Sequence, residues 1–497
     1  MKLQFQKKEV PCLRKQLDEV QTMEQTQEIR IPEGMPGIQR ILGTWGQVVL
    51  RSKEWQGDMI RLSGGVLVWT LYEPEEGGCP QTLDAWIPFR MDWDLPAGIP
   101  EGTIRLKPLL RYVDARSVSA GKVMIRAGLG VLAECWCSCI GEISLPKDDT
   151  ADVEMLRSKW PVRLPREAGE KTFEMEEELA VPASAAVPSK IVYFRMEPSV
   201  TDKKVLGNRL VFRGMCSLHV LYLTQEGQLS GWDFELPFSQ YTDLRETYSQ
   251  DAQADLMMAV TRLEVELDAD GKLHLKTALT GQYLLDDREL IETVEDAYSP
   301  FRDLELERQM LELPAVLESR RENVTAEHNI PAEADVLADA AVLWDFPAQH
   351  RTAEAVELRQ PGMVQILYYD REGRIQSANH RWEGNLRVPM DRNTVLSAIP
   401  MASQSQLSLG ADTISVRTEA PVQLQSMAGQ GIPMVTAMEM GEKKEPDRNR
   451  PSLILQKSER RLWDLARASG STVAAIREAN GITGEPEPGK MLLIPVV

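Results

Sequence analysis

The residues best suited to chemistry in this sequence are its histidines and paired acids. The five histidines each stand alone, without the HExxH spacing of a zinc protease, at His219, His274, His328, His350 and His380. The chain has neither the GxxxxGK[ST] of a phosphate-binding loop nor the GxSxG of a nucleophile elbow. The acid pair Asp286 and Asp287 falls in an apparent turn, where solvated carboxylates are usual. We therefore predict a protein that is not an enzyme and that binds no cofactor or metal.

The cysteines leave one alternative open. Six cysteines in 497 residues are few and fit a reducing compartment. Three of them, Cys135, Cys137 and Cys139, alternate along the chain, so on a strand their thiols would share one face. Such a row is either a set of small core residues or a metal or redox site, although no histidine lies near it in sequence.

Composition and charge exclude several functional classes. The length of 497 residues favours three or four domains, and 43% hydrophobic with 26% charged residues is typical of a folded globular protein. The N-terminal stretch has charges but no apolar core, so we expect no secretory signal, and no run reaches the roughly 20 apolar residues of a membrane helix. A net charge of −19 disfavours nucleic acid and anionic membranes as main partners. Residues 452–497 differ from the rest, because they carry about +1.

Most of the chain has strand-like patterning that repeats. The segments DMIRLSGGVLVWTLY and NRLVFRGMCSLHVLY are apolar-rich and end at turn residues, which predicts strands. Gly57 precedes Tyr72 by 15 residues, and Gly207 precedes Tyr222 by the same distance. Each segment then runs through a turn to the sequence IPF or LPF, which ends at Phe89 or Phe238.

A third copy is weaker. It keeps Leu367-Tyr368 and a turn at 370–373 but lacks the Pro-Phe pair. A period of about 150 residues indicates duplicated domains rather than a solenoid of short units. Short strands at this density predict antiparallel sandwich-like β-domains.

The sequence predicts the following domain plan. Acidic segments with helical spacing occur at 173–180 and 301–313, between the copies, and residues 439–451 are almost all polar or charged, as in a flexible linker. The predicted units are an N-terminal segment (1–27), three β-domains (28–150, 151–310 and 311–438), a charged linker (439–451) and a small C-terminal domain (452–497).

The repeated G…LY…(I/L)PF pattern over residues 28–435 resembles SPOCS domains, a β-rich family of spore-forming bacteria. The match is close in the first two copies and loose in the third. Because each signal is short, the constant offset between copies carries most of the resemblance.

The C-terminal segment has a strand–helix–helix–strand pattern. Leu453–Leu455 and MLLIP predict the two strands, Gly470 predicts the end of the first helix, and Ser471 or Thr472 can cap the second helix. With the sequences LWDLA, STV…I…ANG and PGKMLLIP, this order resembles a LysM domain, so we expect a small α+β (βααβ) fold.

One departure from the LysM pattern bears on the ligand. The usual Gly-Asp before Thr-Leu-Trp is replaced by residues 458–461, which include Arg460 and Arg461. Loss of the flexible glycine and gain of two bulky guanidinium groups disfavour glycan binding and favour protein contact. The predicted partner-binding residues are Lys457, Arg460, Arg461, Leu462, Trp463, Ile476 and Asn480. For Trp463 and Ile476, a place in the module's core is the alternative, and for Lys457, Arg460 and Arg461 the alternative is a solvated face.

The combination of SPOCS-like repeats with a C-terminal LysM-like module resembles the SipL spore-morphogenesis family, with SpoVID-type proteins as near relatives. The resemblance implies a scaffold that acts in the mother-cell cytoplasm, at the forespore surface. It further implies that the LysM-like module binds a SpoIVA-type morphogenetic ATPase, together with other spore-coat proteins. Binding of peptidoglycan in the cortex or cell wall is the alternative.

Overall fold

The computed structural model describes residues 2–147, 150, 152–402, 404–444, 451–458 and 460–496. Most of these residues lie in antiparallel β-strands, and the two short helices lie near the C-terminus. The predicted fold class, mainly β with a small α+β module at the end, is confirmed. No helix in this part of the chain is long and apolar enough to cross a membrane.

The described strands fall into three successive repeats and a C-terminal pair. The first repeat contains β1 (Phe5–Arg30), β2 (Ile38–Gln56), β3 (Met59–Pro74), β4 (Gln81–Asp94), β5 (Thr103–Ser119) and β6 (Lys122–Pro146). The second contains β7 (Glu154–Leu179), β8 (Pro188–Leu206), β9 (Arg209–Thr224), β10 (Leu229–Asp243), β11 (Gln253–Leu267) and β12 (Leu273–Tyr298). The third contains β13 (Arg302–Pro331), β14 (Ala334–Trp344), β15 (Ala348–Arg351), β16 (Ala355–Asp370), β17 (Ile375–Pro389), β18 (Val395–Pro400), β19 (Gln404–Leu409) and β20 (Thr413–Lys443). The C-terminal module contains β21 (Leu453–Lys457), α1 (Leu462–Ser469), α2 (Val473–Asn480) and β22 (Met491–Pro495).

Each repeat is built from two antiparallel sheets. In the first two repeats the sheet orders are β1-β6-β5 and β2-β3-β4, then β7-β12-β11 and β8-β9-β10. The third keeps this plan, with β20 between β13 and β18 and β16 between β14 and β17. In the first repeat, Val66 and Phe89 of one sheet share a buried cluster with Leu106 and Ile125 of the other. The core therefore lies between two facing sheets, as in a β-sandwich.

The structural period matches the sequence period. β1 and β7 begin 149 residues apart, and β3 and β9 begin 150 residues apart. Gly57 and Gly207 open the two-residue turns before β3 and β9 with φ of 64° and 62°, a conformation that glycine adopts without strain.

A glycine–aromatic pair explains the Pro-Phe pattern. Gly64 pairs across the ladder with Phe89, and a Cβ on that glycine would lie 2.8 Å from the phenylalanine ring. Gly214 and Phe238 form the equivalent pair in the second repeat. In the third repeat Gly362 pairs with Trp382, which would lie 2.4 Å from such a Cβ. The third copy thus keeps the pairing with tryptophan in place of phenylalanine.

Several sequence-based expectations differ from the structure. Residues 173–180 and 301–313, predicted as helical, lie largely in β7 and β13. Their acidic and apolar residues alternate with period two over much of each segment, which suits a strand with one solvated face.

Three predicted domain boundaries fall within strands. The N-terminal segment 1–27 contains most of β1, which pairs with β6 from Phe5 to Arg30 and so belongs to the sheet of the first repeat. The boundary at 310 divides β13, which pairs with β20. Residues 439–443 of the predicted linker are the end of β20, and 445–450 lie outside the described residues.

A buried ionic group joins the first repeat to the second. The Arg105 guanidinium, fully buried on β5, lies 3.1 Å from Glu134 on β6 and 2.6 Å from Asp255 on β11. Burial alone would raise the pKa of Asp255, but the charges of Arg105 and Lys203 lower it below its ordinary value. Asp255 is therefore ionised and paired with Arg105 across the junction.

Aromatic and charged side chains also connect all three repeats. Trp45 stacks on Tyr193 with ring centroids 4.6 Å apart, and the Tyr193 hydroxyl donates to Asp339 Oδ2 at 2.6 Å. His219 Nδ1 lies 2.7 Å from Asp233 Oδ1, and its Nε2 lies 2.9 Å from Asp339 Oδ1. Burial would lower the pKa of His219, but the two carboxylates raise it to about 9. The protonated imidazole is thus an ionic link between the second and third repeats.

Candidate functional site

The histidines occupy different places in the repeats. His219 belongs to the repeat junction, whereas the His328 and His380 rings lie 5.1 Å apart beside Trp382 in the third repeat. Burial and the neighbouring His380 lower the pKa of His328. Within the described residues, no three His, Cys, Asp or Glu side chains come close enough together to hold a metal ion.

The three cysteines of β6 differ in their burial. Cys135 and Cys137 are buried in the core of the first repeat, with their Sγ atoms 3.6 Å apart. Cys139 is only half-buried and pairs across the ladder with Cys12 on β1. The Cys12 thiol and the Arg14 charge lower the pKa of Cys139 to about 7 against the effect of burial. Two of the three predicted thiols therefore pack as small core residues.

The C-terminal module has the predicted order of elements. Gly470 ends α1 in the left-handed conformation, and the Thr472 side chain accepts a hydrogen bond from the Ala475 amide at the start of α2. β21 and β22 pair from Leu453 opposite Pro495 to Lys457 opposite Met491. The first helix begins at Leu462.

Three of the predicted partner-binding residues have structural contacts within the module. Leu462 and Ile476 are fully buried in its core. The Asn480 amide donates to the carbonyls of Ile476 and Leu493 and accepts from the Leu493 amide at 2.8 Å. Asn480 therefore ties the end of α2 to β22.

Trp463 extends from α1 to the second repeat. Its ring meets the ring of Tyr298 on β12, its Nε1 donates to Asp296 Oδ2 at 3.2 Å, and only 6% of the residue is exposed. The Tyr298 hydroxyl donates to the carbonyl of Ser471 at 2.9 Å. Trp463 thus contributes to the contact between the module and the repeats.

Asp296 is the charged centre of this contact. Its carboxylate accepts hydrogen bonds from Arg467 of α1 at 2.6 Å and from Arg308 of β13 at 2.7 Å. Burial acts to raise its pKa, but the hydrogen bonds from Arg308 and Trp463 and the charge of Arg467 lower it below the ordinary value of 3.8. Asp296 therefore remains ionised where the module meets the second repeat.

The remaining predicted residues are exposed cations. Lys457 lies at the end of β21, and Arg460 and Arg461 precede α1. Arg461 lies 3.3 Å from Asp464, an exposed pair of the kind that adds little stability. The seven predicted residues thus form no single surface, because three are buried, Asn480 bridges two elements and three face solvent.

Sequence reasoning missed two features of this region. Asp296 and Tyr298 of the second repeat gave no local signal, because their role depends on a contact with residues far along the chain. The second feature is the outer side of the β21–β22 pair, where Leu455 and Leu493 are exposed. Its signal was present in the sequence, because LIL and MLLI are apolar at every position and a strand with one solvated face alternates.

Comparison with known proteins gives one match. Residues 189–268, which run from β8 to the end of β11 in the second repeat, match the family model described as SipL, SPOCS domain. No curated protein and no solved structure matches the chain significantly. This part of the second repeat is therefore similar to a SPOCS domain.

Proposed function

We propose that this chain is a non-enzymatic scaffold for assembly of the spore coat. The observation that carries the proposal is the SPOCS match at residues 189–268, which supports a sporulation-related role. The matched segment belongs to a structural unit that the chain repeats three times. We infer that the first and third repeats are further domains of the same kind.

The repeats have the properties of a rigid platform. Arg105 and Asp255 fix the first repeat to the second, and His219 and Asp339 fix the second to the third. Because buried ion pairs depend on well-defined geometry, these junctions set the relative orientation of the repeats. A platform of this kind presents separate surfaces to several coat proteins at once.

The C-terminal module is the proposed attachment point for a SpoIVA-type morphogenetic ATPase. Its strand–helix–helix–strand order is that of a LysM-like domain, and its exposed Lys457, Arg460 and Arg461 give it a basic edge on an acidic protein. Positive charge at the rim of an interface accelerates association with an acidic partner. We propose that this binding holds the scaffold at the forespore surface in the mother cell.

The module's first loop disfavours a glycan ligand. Glu485 Oε2, from the loop before β22, accepts a hydrogen bond from the Leu462 amide at 2.9 Å. This bond connects the loops at the two ends of the helical pair and occupies the backbone N–H of Leu462. Because LysM-like grooves hold N-acetyl groups through such backbone donors, protein binding is the better supported function.

The test is direct binding of the full-length chain to a purified SpoIVA-type ATPase. We expect the double variant Arg460→Glu/Arg461→Glu to bind about tenfold more weakly, mainly through slower association. Arg116→Glu/Arg213→Glu is the matched control, because both arginines are exposed on the repeats. If the wild-type chain does not bind the ATPase but sediments with purified peptidoglycan, the glycan alternative is correct.

A further inference from the structure

The two-stranded sheet of the C-terminal module has apolar side chains on both faces. Ile454, Leu492 and Ile494 pack inward on the helices. The opposite side of the sheet, here called the outer apolar face, consists of Leu453, Leu455, Met491 and Leu493, which are 53%, 62%, 46% and 39% exposed. Four large apolar side chains exposed together on so small a domain are typical of an interaction surface.

The register places these side chains side by side. Leu455 lies directly opposite Leu493, and Lys457 lies directly opposite Met491. Directly opposed residues of antiparallel strands point to the same face, so Lys457 borders the apolar residues. The outer apolar face is thus apolar at its centre and basic at one end.

The charge on the two strands is of one sign. Neither β21 nor β22 contains an acidic residue, and Lys490 immediately precedes Met491. Backbone hydrogen bonds from Ser458 to Lys490 and from Gly489 to Ser458 keep this lysine beside the end of β21. The predicted basic edge and the outer apolar face therefore share Lys457.

We propose that the outer apolar face binds a protein segment that combines apolar side chains with acidic residues at one end. This inference rests on the proposed function, because it assigns the surface through which the module holds its protein partner. Two copies of the module packed through this face with their strands running in the same direction would bring their lysines together, which opposes that form of self-association. An anionic bilayer would be repelled by the net charge of −19 on the whole chain.

The test compares variants of the full-length chain for binding to the purified ATPase. We expect Leu455→Glu/Leu493→Glu to weaken binding by about a hundredfold, because both changes put charge at the centre of the contact. Leu455→Thr/Leu493→Thr removes apolar area but places β-branched residues, which suit strands, at both positions, and we expect about a tenfold loss. The matched control is Leu290→Glu/Met310→Glu, which alters two equally exposed apolar residues on the repeats.

The outcomes separate this inference from the proposed function. If both Leu455/Leu493 variants bind the ATPase as tightly as the wild type and show unchanged circular dichroism, the proposed docking face is wrong. The proposed function is not affected by that result. A wild-type chain that does not bind the ATPase overturns both. Two further results would also overturn the inference. Flotation of the wild-type chain with vesicles of phosphatidylglycerol would assign the face to lipid. A dimer in sedimentation that Leu455→Thr/Leu493→Thr abolishes would assign the face to a second copy of the chain.

Discussion

The ring of Trp463 meets the ring of Tyr298 edge to face, with centroids 4.8 Å apart and an interplanar angle of 70°. Tyr298 is the last residue of β12, and Trp463 lies in the first turn of α1. This contact, with the ion pair of Asp296 and Arg467, seats the C-terminal module on the second repeat. The charged run 439–451 alone predicts a loosely tethered module. The contacts with Tyr298 and Asp296 instead fix the orientation of its binding surfaces relative to the repeats.

We expect Tyr298→Ala to release the module without unfolding it, because Tyr298 belongs to the repeats. Loss of the aromatic contact and of the hydrogen bond to Ser471 should weaken docking by about 2 kcal/mol. Limited trypsin digestion should then cut faster at Lys443 and Lys444, and small-angle scattering should show a larger radius of gyration. Tyr241→Ala is the control, since that tyrosine is 55% exposed. Equal cleavage rates for the wild type and Tyr298→Ala would contradict this role.

The Asp296 contact makes docking sensitive to acid. Its folded pKa lies below the ordinary value of 3.8, so its contribution is present above pH 3.8 and is lost as the pH falls through the folded value. The radius of gyration should therefore rise as the pH falls below 3.8. Asp296→Asn, which cannot ionise, should already show the larger radius at neutral pH. An unchanged radius for Asp296→Asn at pH 7 would argue that the aromatic contact alone holds the module.

The elements that could be predicted from sequence are those with local signals. Gly57 and Gly207 open turns that only their immediate neighbours determine, and Gly470 and Thr472 bound the helices in the same way. Residues 301–313 were predicted wrongly because their acidic and apolar residues fit both a helical and a strand period. The position of Trp463 could not be predicted, because its partner Asp296 is 167 residues away and is acidic like many of its neighbours.

The glycine–aromatic pairs predict a position-specific steric effect. A Cβ at residue 214 would lie 2.1 Å from the Ser199 carbonyl oxygen and 2.3 Å from Cζ of Phe238. Because the nearer atom is backbone and cannot rotate away, Gly214→Ala should destabilise the chain by about 2 kcal/mol or more in urea unfolding. Gly121→Ala, where no atom lies within 4 Å, should leave the midpoint nearly unchanged. Similar midpoints for the two variants would mean that the aromatic pairing does not constrain the strands.

The buried Arg105 should be among the most sensitive positions in the repeats. Arg105→Ala leaves Glu134 and Asp255 without their shared partner in the interior, and removal of one member of a buried ionic group costs about 3–5 kcal/mol. Arg61→Ala breaks a partly exposed pair with Asp92 and should cost about 1 kcal/mol or less. Urea unfolding of both variants provides the comparison. Equal losses would show that the junction of the first two repeats does not depend on this charge.

The junction at His219 should weaken in alkaline solution. The pKa of His219 is raised from 6.5 to about 9 by Asp233 and Asp339, against the effect of burial. Stabilisation from the protonated ring is therefore complete below pH 6.5 and is lost as the pH rises through 9. Because each pKa unit is worth about 1.4 kcal/mol, raising the pKa from 6.5 to about 9 corresponds to about 3–4 kcal/mol of unfolding free energy. His219→Gln retains a polar side chain but cannot be protonated, so its unfolding free energy should lack this loss between pH 6.5 and 10. His350→Gln, at an exposed position of the third repeat, should keep the wild-type dependence. If His219→Gln loses as much stability as the wild type over that range, the alkaline transition comes from other groups and the imidazole does not link the repeats.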